Sequence, residues 1–179
     1  MSGFGGQGIM FMGKLLTYAC MLEGKNVTWL PSYGPQMRGG TANCMVVIST
    51  RRIASPYFVE PSCLIVMNRP SLKKFEHSVT PGGLIILNSS MIKDEVRRKD
   101  VIVYSIQASE IAEKIGNIRV TNMIALGAFV KVKPLATIDS LTKALNNVLS
   151  SRHRDLLRLN IVALKRGFEM ILENLEYGS

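Results

Sequence analysis

The sequence has few of the residues that build metal and disulfide sites. Cys20, Cys44 and Cys63 stand far apart with no C-x-x-C spacing, and His77 and His153 are the only histidines in 179 residues. An odd, unpatterned set of cysteines makes neither a disulfide framework nor a zinc or iron–sulfur site, so the three read as buried free thiols. Two histidines leave the chain short of nitrogen ligands, and no metal site is assigned. Long apolar runs are missing too. Residues 84–87 and 123–130 are strongly apolar but far shorter than the roughly 20 residues a membrane span needs, so no membrane segment is expected. No basic leader precedes the glycine-rich start, and a cytoplasmic location is the expectation. Acidic residues are outnumbered, 13 Asp and Glu against 22 Lys and Arg, for a net charge of +9. Such an excess raises the question of nucleic acid. The basic groups are scattered, however, at Arg51-Arg52, Arg97-Arg98-Lys99, 152–154 and Lys165-Arg166. Neither a helix-turn-helix pattern nor an aromatic RNA-binding signature accompanies them. Nucleic acid is therefore not an expected partner, and acidic subunits or an anionic small ligand are.

What is present suits one soluble globular domain spanning residues 1–179, with 47% hydrophobic and 20% charged residues. Residues 8–23 read as a helix that is apolar on nearly every face, interrupted by Lys14 and Thr17. A helix of that kind is normally buried on all sides, which leads us to expect a subunit interface, and self-association when partners are missing. Strands are expected at 26–30, 42–48, 64–67, 84–87 and 101–106. Helices are expected at 71–77, 108–114 and 123–132, the last ended by Pro134. Beyond Pro134 only helices follow, at 138–149 and 152–175. In the last, Leu157, Ile161, Leu164, Phe168, Ile171 and Leu175 recur at steps of three and four, placing one apolar stripe against the body. Arg154, Arg158 and Lys165 fall on another face. Alternating strands and helices predict an α/β domain, doubly wound and Rossmann-like, with a mostly parallel sheet and C-terminal helices.

Two glycine-bearing loops carry the functional reading. Gly3-Phe4-Gly5-Gly6-Gln7-Gly8 satisfies G-x-G-x-x-G and leads into a helix, whose free N-terminal amides and dipole favour an anion. A nicotinamide site would require an Asp or Glu near the end of the second strand. Trp29-Leu30-Pro31-Ser32 offers none, which counts against a stand-alone dinucleotide-binding oxidoreductase. A basic, non-enzymatic binding module is the other alternative. Leu15 after Gly13-Lys14 excludes a P-loop, which needs Ser or Thr there. Only Met1 and Ser2 precede the loop, so the first strand is expected to be reduced or to begin upstream. The second loop, within residues 31–44, contains Arg38, a fixed cation suited to phosphate, followed by Gly39-Gly40. After the second strand of a doubly wound sheet, it would share one crevice with the first loop.

Together, SGFGGQGIMFMGKLL and PSYGPQMRGGTANCMVVIS resemble the gamma subunit of the 2-oxoacid:ferredoxin oxidoreductases. The likeness runs on through Asn122-Met123-Ile124-Ala125-Leu126-Gly127 to the C-terminal helices. The wording of the second loop is most similar to the 2-oxoglutarate and 2-oxoisovalerate types. The resemblance implies a subunit of an enzyme that decarboxylates a 2-oxoacid, reduces ferredoxin and releases an acyl-CoA. It places thiamine diphosphate and the iron–sulfur clusters on alpha, beta and ferredoxin-like delta partners, and coenzyme A beside this chain. By matching positions, Gly5, Gly6, Gln7, Gly8, Arg38, Gly39 and Gly40 are the candidate coenzyme A contacts, and no catalytic residue is carried over.

Overall fold

The computed structural model describes residues 1–33, 40–149 and 151–176, and the side chains of these residues as far as 149 and from 154 to 171. A six-stranded sheet forms the centre, in the order β2-β3-β1-β4-β5-β6, from β1 (Ser2–Phe4), β2 (Asn26–Tyr33), β3 (Thr41–Ser49), β4 (Cys63–Val66), β5 (Leu84–Asn88) and β6 (Ile102–Ile106). The pairs β1–β4, β4–β5 and β5–β6 are parallel. The α/β expectation therefore holds, with one difference in detail: β2 and β3 form an antiparallel hairpin, and β3 runs antiparallel to β1. The reason is length. A parallel return needs a crossover of about a dozen residues or more, whereas residues 34–40 suffice only for a hairpin connection.

Side-chain alternation divides the sheet into two layers. Cys63, Ile65, Leu84, Ile86 and Ile106 face the large core, formed with α1 (Ile9–Leu22), α3 (Ala108–Ile115), α4 (Thr121–Val132), α5 (Ile138–Val148) and α6 (Leu157–Glu176). Leu64, Val66, Ile85 and Leu87 face a smaller core capped by Leu72 of α2 (Arg69–Phe75), with Val79 and Ile92. Burial on both faces explains why β4 and β5 read as continuous apolar runs instead of alternating ones.

The helix α1 departs from its expected environment. Ile9, Met12, Leu15, Leu16, Ala19 and Cys20 are buried inside the domain itself. Lys14, Tyr18, Met21 and Leu22 remain exposed as a strip along one side. One chain thus covers most of a helix whose sequence suggested that a partner was needed. At its C-terminal end the Glu23 carboxylate holds Lys25 Nζ at 2.8 Å and accepts the Thr137 amide at 2.7 Å, joining α1 to the start of α5. Burial disfavours the charged carboxylate, but these donors, with the hydroxyls of Ser140 and Thr137, outweigh it and hold the pKa down at about 2.

Deepest of all lies α4, with every residue from Thr121 to Val130 buried. It crosses α6 at two glycines. A Cβ on Gly127 would run into the Leu164 carbonyl, and one on Gly167 into the Ile124 carbonyl, so the two backbones touch where no side chain intervenes. On α6, Leu164 and Ile171 are buried, while Leu157, Ile161 and Phe168 are partly buried against the core, as the stripe predicted. Leu175 lies outside the described side chains. Arg154, Arg158 and Lys165 are exposed.

Candidate functional site: the glycine loop at the end of β1

The first glycine motif begins inside β1. Gly3 and Phe4 are strand residues, so the reduced first strand of the sequence reading is Ser2–Phe4 itself, and the loop proper starts at Gly5. A turn follows, closed by the Gln7 amide donating to the Phe4 carbonyl at 3.1 Å, with Gly6 at φ 101°. Positive φ at the third position of such a turn selects glycine. Gly8 then adopts the left-handed conformation at φ 71° as the N-cap of α1 and offers no side-chain cap. The first turn of α1 also lacks an acidic residue. Its orphan amides and the positive end of the dipole are therefore uncompensated by side chains.

Because β2 runs in the direction of β1 and β3 returns, the 34–40 connection leaves the sheet at the same edge as the glycine loop. The two are joined directly, Gly5 N donating to Gly40 O at 2.9 Å. This is the shared edge expected from the sequence. Arg38 and Gly39 lie outside the described residues; Gly40 does not.

The structure redistributes roles within the motif. Gln7 is turned inward: its Oε1 accepts from Phe4 N at 2.7 Å and from Asn68 Nδ2 at 3.3 Å, and its Nε2 donates to Met67 O at 3.4 Å. Its side-chain amide braces the loop against the end of β4, and the side chain stays partly exposed. The backbone amides of Gly5 and Gln7 are engaged as well, by Gly40 O and Phe4 O. Among the described residues, the donors left for a ligand are the amides of Gly6, Gly8 and the first turn of α1.

Two asparagines that the sequence reading did not assign complete the support. Asn68 caps α2 by accepting from Ser71 N at 2.9 Å while holding Gln7. The Asn-Arg-Pro-Ser order was a visible capping signal, though its reach to Gln7 was not. Asn122, at the start of α4 and 4% exposed, donates from Nδ2 to Gly8 O at 3.1 Å. Its Oδ1 is buried with no hydrogen-bond partner among the described residues. A buried acceptor without a partner, beside an uncapped helix start, is unusual enough to mark the place. The ion pair of Arg69 with Asp94, 2.7 Å, follows Asn68 on α2. No cluster of three or more His, Cys, Asp or Glu capable of holding a metal occurs among the described residues, and no described helix is long and apolar enough to cross a membrane.

Comparison with known proteins identifies the family. Over 177 residues the chain is 36% identical to ketoisovalerate oxidoreductase subunit VorA of Methanothermobacter thermautotrophicus, covering 98% of this chain but 36% of that protein. The chain thus spans about a third of the VorA length. It is 31% identical to 2-oxoglutarate synthase subunit KorC of Methanocaldococcus jannaschii, covering 97% of this chain and 92% of that one. In fold it is similar to the 2-oxoglutarate:ferredoxin oxidoreductase of Magnetococcus marinus, solved with 2-oxoglutarate, coenzyme A and succinyl-CoA bound. The TM-score there is 0.81 at 23% identity, over 93% of this chain and 29% of that one. The family model for pyruvate ferredoxin/flavodoxin oxidoreductase matches residues 1–170, and the chain belongs to that family.

Proposed function

We propose that this chain is a gamma-type subunit of a 2-oxoacid:ferredoxin oxidoreductase of the 2-oxoglutarate or 2-oxoisovalerate kind, and that it forms one wall of the coenzyme A site. The carrying observation is the junction of the two loops at one sheet edge, where Gly5 bonds Gly40 in front of an uncapped α1. In this reading the Gly6 and Gly8 amides and the first turn of α1 meet phosphate oxygens, Arg38 supplies the cation, and Gly39-Gly40 keep the backbone open beside it. Gln7, Asn68 and Asn122 hold the loop in shape. Bound coenzyme A supplies the thiol that receives the acyl group. Alpha, beta and ferredoxin-like delta partners carry thiamine diphosphate and the iron–sulfur clusters and pass electrons to ferredoxin, in a cytoplasmic complex. The exposed Tyr18, Met21 and Leu22 of α1 suit subunit contact better than solvent.

The test is Arg38→Ala in the assembled complex. A charge-assisted contact is worth roughly 1.5–3 kcal/mol, so the KM for coenzyme A should rise about ten- to a hundredfold while that for the 2-oxoacid stays nearly constant. Arg38→Lys should recover part of the loss, keeping the charge without the planar fork. Equal losses toward both substrates, with poor assembly, would assign Arg38 to bracing instead.

A further inference from the structure

The two outer strands of the sheet are built differently. β2 forms one edge and carries Pro31. Opposite it, Cys44 turns both backbone groups toward Met1, so Pro31 turns its own away from β3, to the open side. A proline there offers no N–H and bars a further strand. β6 forms the other edge, and its sequence Ile102-Val103-Tyr104-Ser105-Ile106 has no proline, glycine or charge. Two bonds fix its phase against β5, Ile102 N to Gly83 O and Ser89 N to Ile106 O, both at 2.8 Å. Residues 102, 104 and 106 therefore face β5, and the N–H and C=O of Val103 and Ser105 face outward. Among the described residues these four groups have no hydrogen-bond partner. Ile102 and Val103 are 55% and 38% exposed, and Ser105 is exposed beside them. An unguarded, apolar edge of this kind is a template for another strand.

The distribution of charge selects the occupant. With a net charge of +9, two copies of the chain repel each other except where their surfaces are neutral or locally balanced. β6 is neutral along its length, and its two ends differ in sign. Arg97, Arg98 and Lys99, against Asp100, lead into it; Glu110 and Glu113, against Lys114, follow it in α3. Antiparallel pairing about a two-fold axis brings the basic entry of each strand toward the acidic exit of the other, and does so twice. One register uses every outward group: Val103 lies opposite Ser105 of the second copy, and Tyr104 lies opposite its own counterpart. Tyr104 is partly buried against the large core, and an aromatic pair at such a position favours the ladder. The same register sets the exposed Ile102 beside Ile106 of the other strand.

We propose that two copies of this chain meet edge to edge at β6, as an antiparallel pair centred on Tyr104 that makes one continuous sheet of their two. The inference does not rest on the coenzyme A reading, because β6 is three strands away from β1 and its glycine loop. The test is sedimentation velocity on the full 179-residue chain, wild type against Val103→Pro and Val103→Lys. Val103 N serves no bond within its own sheet, so proline there copies the guard that Pro31 gives β2. Lysine leaves the backbone intact should proline disturb the strand. The expected result is a wild-type dimer whose dissociation constant rises on the order of tenfold or more in Val103→Pro, two of the four ladder bonds being lost. Val103→Lys should weaken the dimer too, and adding Ser105→Glu should restore it, since the register sets each lysine opposite a glutamate. In hydrogen exchange the Val103 and Ser105 amides should be protected in the wild-type dimer. A wild-type chain that stays monomeric at high micromolar concentration overturns the proposal. So does a dimer indifferent to both β6 variants but dissolved by Tyr18→Lys, which would assign the contact to α1. Protection of Val103 and Ser105 by a different subunit in the assembled complex overturns it equally.

Discussion

The glycine loop and the α4–α6 crossing both depend on glycine, for opposite reasons. At the loop, Gly6 and Gly8 are needed for backbone conformation: both have positive φ, and a Cβ on Gly6 would meet nothing within 4 Å. At the crossing, Gly127 and Gly167 sit in ordinary helix and are needed because a methyl group would strike a carbonyl of the facing helix. The first pair keeps a surface open. The second closes a core, and the two pairs should fail differently when replaced.

The largest effect is expected at the crossing. Alanine is the better helix former by about 1 kcal/mol, so any net loss must come from the contact. Overpacking against rigid backbone should make Gly127→Ala or Gly167→Ala cost about 3 kcal/mol, a fall in Tm of roughly 10 °C for a chain of this size, seen by calorimetry. A loss below about 1 kcal/mol would show that α6 slides freely and would weaken the contrast. Gly8→Ala comes next, since it combines both mechanisms: left-handed strain of about 1–2 kcal/mol and a collision with the Asn122 amide. A double-mutant cycle with Asn122→Ala measures the collision as the non-additive part of the denaturation free energy. Gly6→Ala should lose about 1 kcal/mol from conformation alone, and Gly6→Asn less, because asparagine tolerates positive φ. Equal losses for Ala and Asn would point to a contact at Gly6 instead.

The smallest effect lies away from both glycine pairs, at Glu23, and serves as their control. With its carboxyl held down at about 2 in the folded chain against 4.5 ordinarily, Glu23 binds fewer protons folded than unfolded across that interval. Its contribution is present above about pH 4.5 and disappears as pH falls through about 2. The pair with Lys25 is partly exposed, so Glu23→Gln should cost no more than about 1 kcal/mol at pH 7. The gap between mutant and wild type in urea unfolding should close toward pH 2. A gap that persists there would mean that the bond to the Thr137 amide, not the charge, is what matters.

The sequence reading reached most of the fold because the strands and helices carry their periods locally. Residues 84–87 and 123–130 are apolar for reasons visible within the runs themselves, and the stripe from Leu157 to Ile171 needs only helical spacing. The sense of β3 was not visible, since it depends on a connection too short for a crossover and not on strand composition. At the site, the meeting of the two loops followed from strand order. The task of Gln7 did not, because a glutamine in a glycine loop looks the same whether its amide faces a ligand or Met67 and Asn68, sixty residues away. Asn122 was hidden for a like reason: its partner, Gly8 O, is 114 positions distant. Glycines 127 and 167 resemble any glycine in a helix until the second helix is laid across them.

The cysteines, introduced as residues too few to build a site, give the protein built-in reporters of its own opening. Cys44 is sealed between β3 and α1, with its thiol 3.5 Å from Ile9 O, and burial raises its pKa. Cys20, beneath the far end of the same helix, is likewise raised by burial, to about 11. Thiolate is the species that alkylating reagents attack, so neither reacts at neutral pH until the helix lifts from the sheet. Cys63 is only partly buried and borders a cleft between β3 and β4. Timed labelling of the three thiols would therefore read two events in one sample: Cys63 the accessibility of that cleft, Cys20 and Cys44 the rarer detachment of α1.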